Sequence, residues 1–111
     1  MLSRILCAIA AACLIAGAAQ AADVMMIHHE VANYAKWRPI FDADTSAQQA
    51  AGLSDPRVYR SVDDPNDVTV VFAMADPAKA KAFAAAKRLK DVMGNAGVKG
   101  KPVVQFLEQA P

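Results

Sequence analysis

The chain contains no cysteine beyond residue 21. The only two cysteines among its 111 residues are Cys7 and Cys13, and both lie in an apolar N-terminal segment. Once that segment is removed, the protein can form neither a disulfide nor a thiolate metal site, and it has no cysteine nucleophile. A domain this small must then be stabilised by its packed core, with help from self-association if the core is insufficient.

The sequence also lacks an excess of charge of one sign. It has 12 Lys and Arg against 11 Asp and Glu, and 6% of its residues are aromatic, whereas 55% are hydrophobic. This balance is typical of one small globular domain and not of a disordered chain or a nucleic-acid-binding protein, which needs a cationic surface. The basic residues between Lys79 and Lys90 are therefore interpreted as a solvated helix face, and no nucleic-acid partner is expected.

One long apolar run is present, at the N-terminus. Arg4 supplies a positive charge, Ile5–Ala19 is uninterrupted by polar residues, and Ala19-Gln20-Ala21 has the small-x-small form of a signal-peptidase site. The pattern predicts a signal peptide over residues 1–21 with cleavage after Ala21. The mature protein would be a single domain over residues 22–111, periplasmic or secreted, with no membrane attachment after cleavage.

The composition of this segment disfavours two alternatives to a cleaved signal. A membrane anchor is disfavoured because the apolar run is shorter than the roughly 20 residues that cross a bilayer and is rich in alanine. A lipoprotein attached at Cys13 is disfavoured because Ala10–Ala12 lacks the usual large apolar residue before the cysteine.

The mature part alternates between strand and helix patterns. Asn33 and Asp76 are placed to cap helices, Pro77 suits a first helical position, and Asp63–Asp67 is a cluster of turn-forming residues. Pro39 lies near the first turn of its helix and is expected to be tolerated. We predict strands over residues 24–31, 57–62, 68–75 and 102–107, and helices over residues 34–51 and 78–96.

The order β-α-β-β-α-β is that of a ferredoxin-like α+β sandwich, in which a four-stranded antiparallel sheet carries both helices on one face. The third strand is largely apolar on both faces, since Val68, Val70 and Phe72 alternate with Val71 and Ala73. Two helices cover only one of these faces. A second sheet is the simplest cover for the other, so we expect a homodimer with its sheets face to face.

A family resemblance is carried by several short motifs. They are His28-His29-x-Val31-x-x-Tyr34-x-x-Trp37, Phe41-Asp42, Ala51-Gly52, Asp64-Pro65-Asn66-Asp67, Asp76-Pro77-x-Lys79-Ala80-x-Ala82-Phe83 and Met93-x-x-Ala96-Gly97-Val98-x-Gly100-x-Pro102. In these the chain resembles the dimeric α+β-barrel superfamily, close to antibiotic-biosynthesis-monooxygenase-like and cyclase-like small domains. The resemblance implies a barrel formed across a dimer, with a ligand cavity between each sheet and its helices.

No catalytic set is transferred by this resemblance, because the superfamily includes cofactor-free oxygenases, haem-degrading enzymes, isomerases and members without activity. The asparagine, tryptophan and histidine of the haem-degrading branch do not match the arrangement of Trp37, His28 and His29 in this sequence. An export signal also departs from the mostly cytoplasmic enzymes of the group.

His28 and His29 are the only histidines, and their ordinary pKa near neutrality makes them the candidate general bases. Adjacent strand residues point to opposite faces, so one ring should face the helices and the other the partner sheet. His28 and Glu30 share a face, but no third ligand is near, and no metal site is predicted. His29 is the preferred catalytic candidate, and the alternative is that both histidines are core, interface or cavity-lining residues.

Trp37 and Phe41 lie one helical turn apart, with Tyr34 on the preceding turn. Such a stripe serves either the core or an aromatic ligand through stacking. Arg60 shares a strand face with Val58, so it could anchor an anionic ligand or end at the solvated sheet edge. We take Trp37, Phe41, Tyr34 and Arg60 as candidate ligand-binding residues.

These observations lead to an exported homodimer that binds a small apolar or aromatic molecule. Any catalysis would be cofactor-independent oxygenation, or an isomerase- or cyclase-like reaction, with a histidine as base; no cofactor is expected. The alternative is a non-catalytic structural or binding dimer, and a weaker one is haem binding through one histidine.

Overall fold

The computed structural model describes residues 23–111. These residues form β1 (Asp23–Val31), α1 (Tyr34–Ala43), α2 (Thr45–Ala50), β2 (Leu53–Arg60), β3 (Asp67–Met74), α3 (Pro77–Ala85), α4 (Lys87–Asn95) and β4 (Val98–Leu107). The predicted signal peptide and its cleavage site lie outside the described residues. Within residues 23–111, no helix combines the length and the apolar character needed to cross a membrane.

The four strands form one antiparallel sheet in the order β2-β3-β1-β4. β1 and β3 are the central strands, and β2 and β4 are the edges. This architecture confirms the predicted ferredoxin-like α+β fold. The helix N-caps are also confirmed: Asn33 Oδ1 accepts from the Lys36 amide at 3.1 Å, and Asp76 Oδ1 accepts from the Ala78 amide at 2.9 Å.

Both edge strands begin earlier than predicted. β2 was expected over residues 57–62 but runs over Leu53–Arg60, with an irregularity between Ser54 and Arg57 in its pairing to β3. Asp55 lies within this irregularity and has a φ of 49°, which is not a strand conformation. The regular alternation of side chains is therefore interrupted there, and the sequence pattern does not indicate a strand before residue 57. β4 begins at Val98 instead of residue 102, because an edge strand tolerates Gly and Pro that would interrupt a central one.

Each of the two predicted helices is broken into two. The helix expected over residues 34–51 ends at Ala43 and resumes at Thr45, with Asp44 between the two parts. The helix expected over residues 78–96 is interrupted at Ala86, whose φ of −71° and ψ of 141° are extended. Neither break has a glycine or proline to mark it in the sequence.

The core lies between the sheet and the helices. Alternate residues of β1 and β3 face the helices and are buried, while those between them are partly or fully exposed. The buried apolar residues are Met25, Ile27, Val31, Leu53, Val68, Val70, Phe72 and Met74 from the strands, and Trp37, Ala80 and Leu89 from the helices, with Ala51 and Ala96 beside them.

The other face of the sheet has no helix over it within residues 23–111. Val71 and Ala73 of β3 lie there half-buried, and Tyr59, Val103 and Leu107 of the edge strands are exposed. We call this surface the open face of the sheet. It is the face for which the sequence predicts a second sheet.

Candidate functional site

His29 lies on β1 and points toward the helices. It is 5% exposed, which makes it one of the two buried polar side chains among the described residues; the other is Gln48. Its ring meets Trp37 of α1 edge-on, with 5.6 Å between ring centroids and an angle of 80° between the planes. The alternation of β1 therefore directs His29, and not His28, into the interior of the domain.

A small cavity adjoins His29 between the sheet and the helices. Its volume is about 40 Å³. Its walls are mainly apolar, and four aromatic rings and three polar side chains contribute to them. The aromatic residues are Trp37, Phe41, Phe72 and Phe83, and the polar residues are His29, Asp44 and Gln48.

One nitrogen of the His29 imidazole has no hydrogen-bond partner in the described residues. Its Nδ1 atom is the one buried side-chain nitrogen or oxygen in the described residues that has no hydrogen-bond partner. Burial lowers the pKa of His29 below its ordinary value of 6.5, and the electrostatic interaction with neighbouring His28 lowers it further, while the backbone of His29 and Val68 and the charge of Asp67 oppose this effect. The ring is therefore neutral at neutral pH.

Two of the residues predicted as a ligand platform, Trp37 and Phe41, are in direct ring contact. Trp37 and Phe41 are stacked, with centroids 4.8 Å apart and planes at 19°, and Phe41 lies 6.0 Å from Phe72 of the sheet. Trp37 is buried in the core and also lines the cavity. The same residues thus stabilise the domain and present aromatic surface to the cavity.

Tyr34 and Arg60 do not line the cavity. The Arg60 guanidinium lies 3.9 Å from the centroid of the Tyr34 ring, and its Nε donates to the carbonyl of Pro65 at 3.0 Å. Arg38 Nη1 donates to the Tyr34 hydroxyl at 3.2 Å. Tyr34 and Arg60 therefore form a cation–π pair near the loop before β3, separate from the cavity.

His28 lies on the open face, on the opposite side of the sheet from His29. Its side chain is half-exposed and its Nε2 is in direct contact with Asp67 Oδ1. The two histidines do not converge, as their adjacent positions predict. No group of three His, Cys, Asp or Glu residues in the described part of the chain is arranged to hold a metal ion.

Three residues of this region were not identified from the sequence. Asp44, between α1 and α2, accepts two hydrogen bonds from Arg88 of α4, at 2.8 and 3.0 Å. Its carboxylate is 12% exposed, and its contact raises the pKa of Arg88. Arg88 was interpreted as part of a solvated face, but it joins two helices. Gln48 is buried and donates to the Phe41 carbonyl at 3.4 Å.

The size of the cavity limits what it can hold without rearrangement. About 40 Å³ is enough for a few water molecules, whereas sites for small organic ligands span roughly 300–1,000 Å³. The wall formed by α4 consists of Leu89, Val92 and Met93, of which methionine is the most adaptable. Binding of an aromatic molecule therefore requires these side chains, or α4 itself, to move outward.

Solved structures share this fold at low sequence identity. A crystal structure of an antibiotic biosynthesis monooxygenase superposes with a TM-score of 0.60 at 12% identity, covering 80% of this chain and 99% of the other. SnoaB, a cofactor-independent oxygenase from Streptomyces nogalater, superposes with a TM-score of 0.56 at 18% identity, covering 81% and 97%. A monooxygenase from the gene ActVA-Orf6 of Streptomyces coelicolor, in complex with nanaomycin D, gives 0.56 at 14% identity, covering 82% and 89%.

At sequence identities this low, the structural superposition establishes the fold but does not establish a shared chemical activity. The structural neighbours share the ferredoxin-like α+β fold of antibiotic-biosynthesis-monooxygenase proteins. No protein-family model and no curated protein matches the sequence.

Proposed function

We propose that the protein binds a small aromatic molecule in the cavity beside His29 and that His29 acts there as a general base. The observation that carries the proposal is the unpartnered Nδ1 of a buried, neutral histidine that lines an aromatic cavity. A buried polar atom without a partner costs stability, and a ligand that donates a hydrogen bond to it removes that cost.

The chemistry follows from the neutral state of the ring. A neutral imidazole nitrogen accepts a proton from an acidic hydroxyl or carbon–hydrogen group of the bound molecule. The resulting anion is electron-rich and can react directly with dioxygen, or it can take the proton back at another atom, which is an isomerisation. Oxygenation is the preferred outcome because cofactor-independent oxygenases occur among proteins of this fold.

Trp37 supplies a direct test, since it is the single tryptophan of the chain and lines the cavity. The probe is 4-nitrophenol, which quenches tryptophan fluorescence and changes colour when it loses its proton. We expect saturable quenching of Trp37 together with a larger phenolate fraction for the bound probe than for the free probe at the same, mildly acidic pH. The methyl ether 4-nitroanisole, which has no acidic proton, should quench without the colour change.

The His29→Phe variant separates binding from proton transfer. It keeps an aromatic ring in the site and should retain quenching by both probes while losing the phenolate signal. If wild-type fluorescence is unchanged by either probe, the cavity does not open to aromatic molecules, and the non-catalytic alternative replaces this proposal.

We further propose that the mature protein is a homodimer joined through the open face of the sheet. Half-buried Val71 and Ala73, with exposed Tyr59 and Val103, form an apolar surface of the kind that soluble monomers rarely leave uncovered. His28 and Asp67 lie on the same face, so the dimer would cover this pair as well.

Export is the remaining part of the proposal. It rests on the charged start, the apolar run and the Ala19-Gln20-Ala21 site of the N-terminal segment. Intact mass measurement on protein recovered outside the cytoplasm should give a chain that begins at Ala22. A chain that retains Met1 would contradict it.

A further inference from the structure

A second and much larger concave space lies on the outer side of α4. It is a groove between α4 and the edge strand β4, with a volume of about 770 Å³. That volume falls within the range of about 300–1,000 Å³ that is typical of small-molecule sites. We call it the outer groove. The function proposed above makes no use of it.

The floor of the outer groove is apolar. Leu89 and Met93 of α4 face Pro102 and Val104 of β4 across it, and the small residues Ala84–Ala86 leave it open at the junction of α3 and α4. Leu89 and Met93 also line the cavity beside His29, so α4 is the wall between the two spaces. A floor of this composition favours a hydrocarbon chain.

The rim of the outer groove carries charge of one sign. Its charged residues are Lys87, Lys90 and Lys101, and no Asp or Glu lines it. Lys87 pairs with Asp91 at 2.9 Å, whereas the ion pairs within residues 23–111 do not include Lys90 or Lys101. Two free ammonium groups beside an apolar floor are complementary to a molecule with an anionic head and an apolar tail.

A glycine, Gly94, also lines the outer groove. It lies in the last turn of α4 and lines the outer groove, and a Cβ placed on it would meet nothing within 4 Å. Its φ is not positive, so neither backbone conformation nor close contact requires glycine there. The last turn of α4 therefore borders open space in the groove, which a larger side chain at this position would fill.

We propose that the outer groove binds one long-chain carboxylate as a free molecule. Its hydrocarbon chain would lie along Leu89, Met93 and Val104, and its carboxylate beside Lys90 and Lys101. A concave site for a single chain favours the monomeric anion over a membrane surface, which would need a broad, cationic protein face. The groove lies on the helix side of β4, so a dimer formed through the open face leaves it accessible.

The test is a titration of the mature protein with dodecanoate below its micelle-forming concentration, followed by calorimetry and methyl NMR. We expect one molecule bound per chain and shifts at the methyls of Val98 and Val104. The methyls of Ile27 and Val70, which line only the cavity, should not shift. Dodecyltrimethylammonium, with the same chain and a positive head, should bind at least about tenfold more weakly.

Two pairs of variants locate the tail and the head. Gly94→Leu fills the groove and should weaken dodecanoate binding by at least about tenfold, whereas Gly94→Ala should leave it within about twofold. The double variant Lys90→Gln/Lys101→Gln should weaken binding by about tenfold and reduce its salt dependence, since only Lys87 of the rim charges remains. The control double variant Lys36→Gln/Lys79→Gln, at exposed positions outside the groove, should change neither.

Several outcomes would overturn the proposal. One is that the cationic detergent binds as tightly as dodecanoate, and another is that the Gly94→Leu and Lys90/Lys101 variants both bind dodecanoate as the wild type does. Methyl NMR shifts confined to Ile27 and Val70, or binding only to anionic vesicles, would also contradict it. Occupation of the groove by a second copy, or by residues 5–19 in the full-length chain, would also overturn it. The His29→Phe variant should bind dodecanoate normally, so failure here and failure of the base at His29 are distinguishable.

Discussion

At the scale of single residues, burial holds the imidazole of His29 neutral and leaves its Nδ1 without a partner. A residue kept only for packing would be more stable as an apolar ring of similar shape, since replacing an unsatisfied buried polar group by an apolar one removes its desolvation cost. Replacing His29 by an apolar ring should therefore change the free energy of unfolding in a measurable way.

We expect His29→Phe to raise the free energy of unfolding by about 1 kcal/mol at neutral pH. It should also remove a pH dependence. The pKa of His29 is lowered in the folded state from 6.5, so below pH 6.5 the unfolded chain binds more protons and stability falls as the pH decreases. Chemical denaturation between neutral and mildly acidic pH measures both effects.

His28→Gln is the matched control for this prediction. Burial is the largest cause of the lowered pKa of His29 and is unaffected by a substitution on the open face, so most of the pH dependence contributed by His29 should remain. A His29→Phe protein that is clearly less stable than the wild type would contradict the argument, because it would mean that the imidazole makes a stabilising contact that the apolar ring cannot replace.

At the scale of the elements, α4 packs on the core through buried Leu89, and a bidentate ion pair links it to the segment between α1 and α2. Arg88 lies at the start of α4, and Asp44 lies between α1 and α2. The extended residue Ala86 separates α4 from α3, and no side chain caps α4. Because an extended residue separates α4 from α3, we expect α4 to open more readily than the sheet, which would enlarge the cavity beside His29.

Arg88→Gln should lower the free energy of local opening of α4 by roughly 1 kcal/mol, because it leaves the largely buried carboxylate of Asp44 without its partner. Amide hydrogen exchange along α4 is the measurement. Lys87→Gln breaks the neighbouring exposed pair with Asp91 and should change the same exchange by less than about 0.5 kcal/mol. Equal effects of the two variants would show that the Arg88 contact is not the one that holds α4.

At the scale of the whole molecule, the proposed dimer depends on the apolar residues of the open face. Val71→Asp puts a charge at the middle of this face, on central strand β3, and should convert the proposed dimer into monomers in sedimentation or light-scattering measurements. Val62→Asp makes the same change at a residue that is 99% exposed in the loop before β3 and should leave the dimer intact. A wild-type protein that sediments as a monomer would refute the proposed face-to-face assembly.

The order of elements could be predicted from the sequence because it depends on local patterns, such as the alternation in β3 and the caps Asn33 and Asp76. The breaks at Asp44 and Ala86 could not, because neither has a turn-forming glycine or proline and both depend on packing against the sheet. The pairing of Arg88 with Asp44 joins positions 44 residues apart, so no local pattern contains it. Alternation predicted that His28 and His29 would face opposite ways, but only the register of β1 shows which one is buried.

Strand β4 also bears on how the protein behaves at high concentration. Its outer edge carries Lys99 and Lys101 beside Gly100 and Pro102, and proline has no backbone N–H to offer an incoming strand. Strands from other chains are therefore discouraged from extending the sheet at this end, as edge lysine and proline discourage fibril growth generally. For a domain that has no disulfide to limit unfolding, this edge makes ordered aggregation through β4 an unfavourable route.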